Sequence, residues 1–282
     1  MTQTALGPHR GRVLIVAGSD SGGGAGIQAD IKAVTALGAY AATAITALTA
    51  QNTLGVHGAY PVPPAFVQQQ MQVVLDDIGA DAIKTGMLGQ AAIVEAVADT
   101  LRRMAPSIPL VLDPVMVAKG GARLLDGEAL AVLRRDLLPL AFLLSPNIPE
   151  AEALLGRAIP DHAAALDAAR ALLDLGARAV LLKGGHLSGA TVRDVLATVD
   201  GTVVLDSPRI DTRHTHGTGC TLASAVAAGL AQGMALEAAV RRAAAYVHAA
   251  ILAAPGFGAG HGPLGHAVTI DPGRLAGLAP PR

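Results

Sequence analysis

Short, largely apolar runs constrain this chain more than any other feature. They fall at residues 13–17, 42–46, 82–84, 110–113, 141–145, 179–183 and 195–199. Continuous apolar character, rather than alternation, suits strands covered on both faces, as in a parallel sheet. Helical periodicity fills the gaps. Val67, Met71, Val74 and Ile78 fall on one face after Pro63-Pro64, and Ile27, Ile31, Val34 and Leu37 form a similar stripe that Gly38 is placed to end. The Ala-rich stretch 221–232, followed by Gly233, reads as a further helix. With no linker or internal repeat, the alternation predicts one doubly wound α/β domain over residues 13–282, behind a flexible tail at 1–12. Ligands of such sheets gather beyond the carboxyl ends of the strands.

Composition narrows the partners. The formal net charge is −1, with no long run of either sign, so the electrostatic footprint of a general nucleic-acid binder is missing. The longest apolar runs are too short to cross a bilayer, and the first residues lack a signal-peptide pattern. A single cysteine, Cys220, leaves no internal disulfide and no CxxC pair. The expectation is a cytoplasmic protein acting on small molecules.

Four constellations fall at expected strand ends. Residues 17–30 run from a strand through a glycine-dense turn into a helix, where backbone N–H groups can approach a ligand closely. Asp30, inside that helix, reads either as a solvated acid favoured by the helix dipole or as a ligand-binding carboxylate. His216-Gly-Thr-Gly-Cys-Thr221 precedes the Ala-rich helix and can form an anion hole. Cys220 there is either a thiolate favoured by the helix dipole or a small buried packing residue. Asp113, Asn147 and Glu150 follow strands and offer oxygens to magnesium; alternatively, Asp113 caps a turn and Glu150 lies in the first turn of a helix. Lys183-Gly-Gly-His186 can reach nucleotide phosphates or be an ordinary turn. Walker A and GxSxG patterns are absent, no histidine spacing suits zinc, and the GxGxxG match at 260–265 lacks a strand-to-helix context, which disfavours a dehydrogenase.

Taken in order, these stretches resemble the hydroxymethylpyrimidine/phosphomethylpyrimidine kinases of the ribokinase-like superfamily. The resemblance rests on Ala17-Gly-Ser-Asp20, Gly23-Gly-Ala-Gly-Ile-Gln-Ala-Asp30, Ile45-Thr-Ala-Leu-Thr-Ala-Gln-Asn-Thr53 and Lys84-Thr-Gly-Met-Leu-Gly89. It continues through Asp113-Pro-Val-Met-Val-Ala-Lys119, Ser145-Pro-Asn-Ile-Pro-Glu150, Lys183-Gly-Gly-His186 and Thr215-His-Gly-Thr-Gly-Cys-Thr221.

The resemblance implies an α/β, ribokinase-like fold: a mostly parallel central sheet with helices on both faces. It implies ATP as phosphoryl donor, Mg2+, a homodimer, and two steps in thiamine biosynthesis. The first phosphorylates 4-amino-5-hydroxymethyl-2-methylpyrimidine, the second its monophosphate. Gln51, Gly18, Asp30 and Met87 match substrate-pocket positions. Gln51 suits an aminopyrimidine because a carboxamide presents a donor beside an acceptor. Cys220 matches the catalytic position, where it receives the hydroxyl proton or orients the hydroxyl, with Gly217, Thr218 and Gly219 as the anion hole. Lys183, Gly184 and Thr215 match the nucleotide-phosphate positions, and Asp113, Asn147 and Glu150 the magnesium positions. Gly22, His214 and Gly265 depart from the family's frequent serine, asparagine and asparagine, which puts local hydrogen bonds there in question. A pyridoxine or pyridoxal kinase of the same fold is the alternative, and a non-catalytic pyrimidine sensor is a more remote one.

Overall fold

The computed structural model describes residues 11–117, 121, 124, 125, 127–271 and 273. The first ten residues of the expected tail, and Lys119 of the Asp113 stretch, lie outside them. The main sheet begins one residue earlier than the apolar run suggested, with β1 (Arg12–Ala17). The Arg12 guanidinium holds both carboxylate oxygens of Asp81, at 3.0 and 2.8 Å.

From β1 the chain passes through α1 (Gly26–Ala36) to β2 (Tyr40–Ile45). A hairpin of β3 (Ala47–Asn52) and β4 (Gly55–Pro61) precedes α2 (Pro64–Asp77). Strands and helices then alternate: β5 (Ala82–Thr85), α3 (Ala91–Met104), β6 (Leu110–Leu112), α4 (Gly127–Val132) and β7 (Leu143–Leu144). After α5 (Ile148–Leu155), α6 (His162–Leu173) and β8 (Ala179–Leu182) come β9 (Thr191–Thr198) and β10 (Gly201–Pro208). The last long helices are α7 (Thr218–Ala231) and α8 (Leu236–Leu252). Among the described residues no helix is long and apolar enough to cross a membrane.

The eight-stranded sheet has the order β10-β9-β8-β7-β6-β5-β1-β2. It is parallel from β2 to β8, and β9 and β10 join antiparallel at one edge. The hairpin forms a separate two-stranded sheet. Strand parity divides the core. Leu14, Val16, Ile83, Leu112 and Leu144 face α2, α3, α5 and α6. Val13, Ile15, Ala17, Ala82, Val111 and Leu143 face α1, α7 and α8.

Three strands were not expected: β3, β4 and β10. Each mixes polar with apolar residues and is largely open on one side, so none carries a continuous apolar run. The α1 stripe also needs correction. Ile27 and Val34 are buried, but Ile31 is 36% exposed, and the inner face holds Asp30 and Ala33 instead.

Candidate active site

Glycine contacts lock the first loop to the turn before α7. Gly217 has φ +81°, and a Cβ there would lie 1.8 Å from the Gly24 carbonyl oxygen. A Cβ on Gly24 would in turn meet the His216 ring at 2.6 Å. The turns that flank the two helices thus press backbone to backbone, an approach open only to glycine.

The hairpin is tied to the same place. The Ser21 hydroxyl donates to the Gln51 carbonyl and accepts from the Gln51 N–H, both at 2.8 Å. The β3–β4 register slips between Ala50 and Gln51, a bulge of the kind that re-aims a side chain. The Gln51 carboxamide comes to lie between Thr49, at 3.3 Å, and His216 Nε2, at 3.1 Å. The other expected pocket residues sit close by. A Cβ on Gly18 would strike Met87 Cε at 2.4 Å, and Met87 is half-buried.

Below this lies a run of alternating charge. Strand parity puts Lys84 of β5 on the α1/α7 side, where its ammonium is 2.9 Å from both oxygens of Asp30. Ser224 of α7 donates to Asp30 Oδ1 at 2.7 Å. Lys84 Nζ is 4.0 Å from Asp113 Oδ2, Lys183 Nζ is 2.9 Å from Asp113 Oδ1, and Lys183 is 3.9 Å from Glu150 Oε2. Burial works against both ammonium charges, but the surrounding acids, Asp30 first for Lys84 and Asp113 first for Lys183, hold both above the ordinary lysine value. Asp30 is wholly buried, which corrects the reading of a solvated acid, and its oxygens are engaged by Lys84 and Ser224 rather than turned to a pocket.

The N-terminus of α7 has no side-chain cap. A Cβ on Gly219 would sit 3.3 Å from Lys183 Nζ, so this open turn lies against the charged run. Cys220 keeps part of its surface open, and Gly26 at the start of α1 donates to its sulfur. Of the two readings of this residue, its surroundings disfavour the thiolate. Burial pushes the thiol up to about 12; Lys84 pulls it down, but Asp30 and Asp113 add to the rise. Near pH 7.5 the thiol is therefore protonated, and its alkylation by iodoacetamide is expected to run at least about tenfold slower than that of an unperturbed cysteine. The rate should climb only as pH approaches the alkaline limit of the fold; rapid labelling at neutral pH would refute the assignment.

One of the expected phosphate groups is spent elsewhere. The Gly184 N–H donates to Asp194 at 2.8 Å, and a Cβ there would strike the Arg193 carbonyl oxygen at 1.9 Å, so this glycine serves packing. The Thr215 carbonyl oxygen accepts from the Thr218 hydroxyl at 2.7 Å and shapes the turn. Lys183 does reach the turn. Glu150 does lie in the first turn of a helix, and the geometry adds a capping role for Asn147 and Glu150 that the sequence reading did not include. Asn147 Oδ1 accepts from the Glu150 N–H at 2.9 Å and Glu150 Oε2 from the Asn147 N–H at 2.8 Å, a capping box on α5. Burial pushes the Glu150 carboxyl up to about 7. Asp113 fits a cation better, because its Oδ2 is buried without a hydrogen-bond partner.

Two of the departures have local explanations. A side chain at Gly265 would strike the Ala253 carbonyl oxygen at 2.2 Å, and one at Gly22 would crowd the Gln51 carbonyl oxygen at 3.3 Å. At the third, the ring of His214 packs so close that a Cβ on Gly262 would lie 2.2 Å from its Nδ1. Sequence reasoning missed Lys84, Asp20, His216 and Ser224 as site residues. A charge inside the apolar strand 82–85 was the readable signal for Lys84; Asp20 and His216 lay inside quoted motifs without being given a role, and Ser224 carried no signal.

A mostly parallel sheet with an uncapped helix N-terminus, a lysine and an aspartate at its strand ends defines a ribokinase-like small-molecule kinase. The phosphomethylpyrimidine kinase family matches residues 20–265. The hydroxymethylpyrimidine/phosphomethylpyrimidine kinase of Haemophilus influenzae is 49% identical, over 90% of this chain and 96% of its own length. The thiamine biosynthesis bifunctional protein ThiED of Geobacter sulfurreducens is 54% identical over 93% of this chain, which spans about half (53%) of that longer protein. A solved ADP complex of Bacillus subtilis pyridoxal kinase superposes with a TM-score of 0.86 at 37% identity, covering 93% of this chain and 99% of its own. The chain belongs to the phosphomethylpyrimidine kinase family.

Proposed function

We propose that the enzyme transfers the γ-phosphate of ATP to 4-amino-5-hydroxymethyl-2-methylpyrimidine, and then phosphorylates the monophosphate to the pyrophosphate. One observation carries this reading. Gln51, whose carboxamide suits an aminopyrimidine, touches His216, the residue immediately before the anion-hole turn. An acceptor read by Gln51 is thereby held beside the place where a phosphoryl group is stabilised. Family membership, and relatives named for both activities, support the same assignment.

In this reading the acceptor oxygen bonds the γ-phosphorus as the bond to the β-phosphate oxygen breaks and ADP leaves. Phosphoryl transfer asks a protein chiefly for positioning and charge stabilisation. The backbone N–H groups of Gly217, Gly219 and Cys220, together with Lys183, supply the second, while the Thr218 N–H turns to the Thr215 carbonyl oxygen at 3.4 Å. Cys220, as a protonated thiol, orients the acceptor hydroxyl, and the hydroxyl proton passes to the transferred phosphoryl group. Asp30 positions Lys84 and does not touch the substrate. Magnesium, which neutralises phosphate charge and needs only one or two protein carboxylates, would be held by Asp113. Glu150 and Asn147 fix the strand end behind it. A homodimer is part of the same proposal, and sedimentation velocity reads it directly.

The Bacillus pyridoxal kinase likeness keeps a vitamin B6 acceptor in the test, since a pyridine lacks the donor–acceptor edge that suits Gln51. Product analysis with the pyrimidine alcohol, its monophosphate and pyridoxal as separate acceptors decides. Turnover of the first two is expected; turnover of pyridoxal alone would overturn the proposal. Gln51→Ala should raise KM for the pyrimidine by roughly 10- to 100-fold with a smaller change in kcat, as expected when a buried polar partner is lost. Unchanged KM would remove Gln51 from recognition.

A further inference from the structure

Resting on that reading of Gln51, we propose that Asp20 and His216 are positioning residues for acceptor choice. Through one imidazole N–H they fix which end of the Gln51 carboxamide is the acceptor. They thereby decide which hydrogen-bond pattern the substrate must present.

Asp20 is buried in the first loop, where its Oδ1 accepts from the Gly22 N–H at 2.8 Å. Its Oδ2 accepts from Gly24 at 3.0 Å and from Ala25 at 2.8 Å. Burial works to raise this carboxyl, but hydrogen bonds from His216, Ala25 and Gly22 outweigh it and hold the group below the usual carboxylate range. A carboxylate only accepts. His216 Nε2, 2.9 Å from Oδ2, therefore carries a hydrogen.

As placed, the Gln51 atom 3.1 Å from that nitrogen is Nε2, which would set one donor against another. An amide's oxygen and nitrogen are assigned from such neighbours; a protonated Nε2 has no lone pair to accept the NH2, so the oxygen belongs on the His216 side, sharing the one hydrogen with Asp20 Oδ2. Thr49 asks for the same orientation independently. Its hydroxyl donates to the Ser19 carbonyl at 2.8 Å, so towards the amide atom 3.3 Å away it can only accept. That atom is the NH2. With the Gln51 backbone pinned by Ser21, the amide oxygen keeps a lone pair for an exocyclic amine, and the NH2 keeps a hydrogen for the neighbouring ring nitrogen. A 4-oxo pyrimidine presents the reverse pattern and is rejected.

The test is the ratio of kcat/KM for the 4-amino acceptor to that for its 4-oxo analogue. Both values come from one preparation, so any inactive fraction cancels. His216→Leu frees the amide to turn and should lower the ratio tenfold or more, within the ~100-fold that an unsatisfied buried polar group costs. His216→Gln returns an N–H donor and should restore the ratio to within about threefold of wild type. An unchanged ratio in His216→Leu overturns the inference. If that happens while Gln51→Ala does lower the ratio, recognition by Gln51 stands and only the positioning role falls. If Gln51→Ala also leaves it unchanged, both readings fall. Should His216→Leu not fold, nitrogen NMR of the wild-type enzyme labelled at histidine decides: a protonated Nε2 at His216 supports the inference, and an unprotonated Nε2 refutes it.

Discussion

Lys84→Met is expected to destabilise the protein by about 3–5 kcal/mol, the usual cost of removing one partner from a buried ion pair. Both side chains of the Lys84–Asp30 pair are fully buried. Without the ammonium, only the Ser224 hydroxyl is left to meet the Asp30 carboxylate. Burial already pushes the Asp30 carboxyl up, and with Lys84 gone it does so with little opposition. The sign of the pH dependence follows. An acid whose folded pKa lies above its unfolded value costs stability as pH rises from the unfolded value towards the folded one. The variant should therefore recover stability on acidification towards pH 4, approaching the unfolded aspartate value of about 3.9. Chemical denaturation at several pH values measures this, and a loss below about 1 kcal/mol at pH 7 would contradict a buried charged pair. Adding Asp30→Leu should return much of the loss, because no unpaired charge remains.

The second large effect is on activity. In Gly217→Ala the new methyl group meets the Gly24 carbonyl oxygen, so the turn before α7 and the first loop must separate. Misplacing the backbone donors of that turn should lower kcat on the order of 10²–10³, as losing an oxyanion-hole donor does. Strain at a left-handed residue costs about 1–3 kcal/mol of stability, too little to unfold the enzyme. Gly233→Ala is the control. It shares the left-handed backbone, with φ +79°, but nothing lies within 4 Å of its Cβ position. It should lose about 1 kcal/mol and keep its kcat. Equal loss of activity in both variants would show that backbone strain, and not the contact between the turns, is responsible.

What could be read from the sequence follows from how each element is buried. β1, β5, β6 and β8 lie between two layers of helices, so their runs are apolar throughout and visible. The β3–β4 hairpin is a half-exposed ribbon whose polar residues look like a loop, and its bulge at Gln51 depends on pairing no pattern reports. Helix faces that bury a charge were misread for the same reason. An apolar stripe gives α1 an inner Ile31, whereas the inner position is Asp30, satisfied by Lys84 some fifty residues away. Asp113, Asn147 and Glu150 were found at the expected strand ends, yet two of them close a capping box. That distinction lies in rotamers, not in composition. The thiolate reading of Cys220 rested on its helix terminus; the burial and the two acids that oppose it, Asp30 and Asp113, come from segments distant in sequence.

The hairpin stands apart from the main sheet, yet it carries the residue proposed to read the acceptor, while Asp113 and Lys183 directly follow strands of the main sheet and the anion turn leads into α7. In that proposal acceptor choice and phosphate handling lie on different sheets, joined through Ser21, Asp20 and His216. Substitutions in the ribbon are then the ones expected to change the acceptor with least change to the core. For the designer, the same division marks β3 and β4 as the segment to randomise, with Asp20 and His216 held or varied as its adaptor.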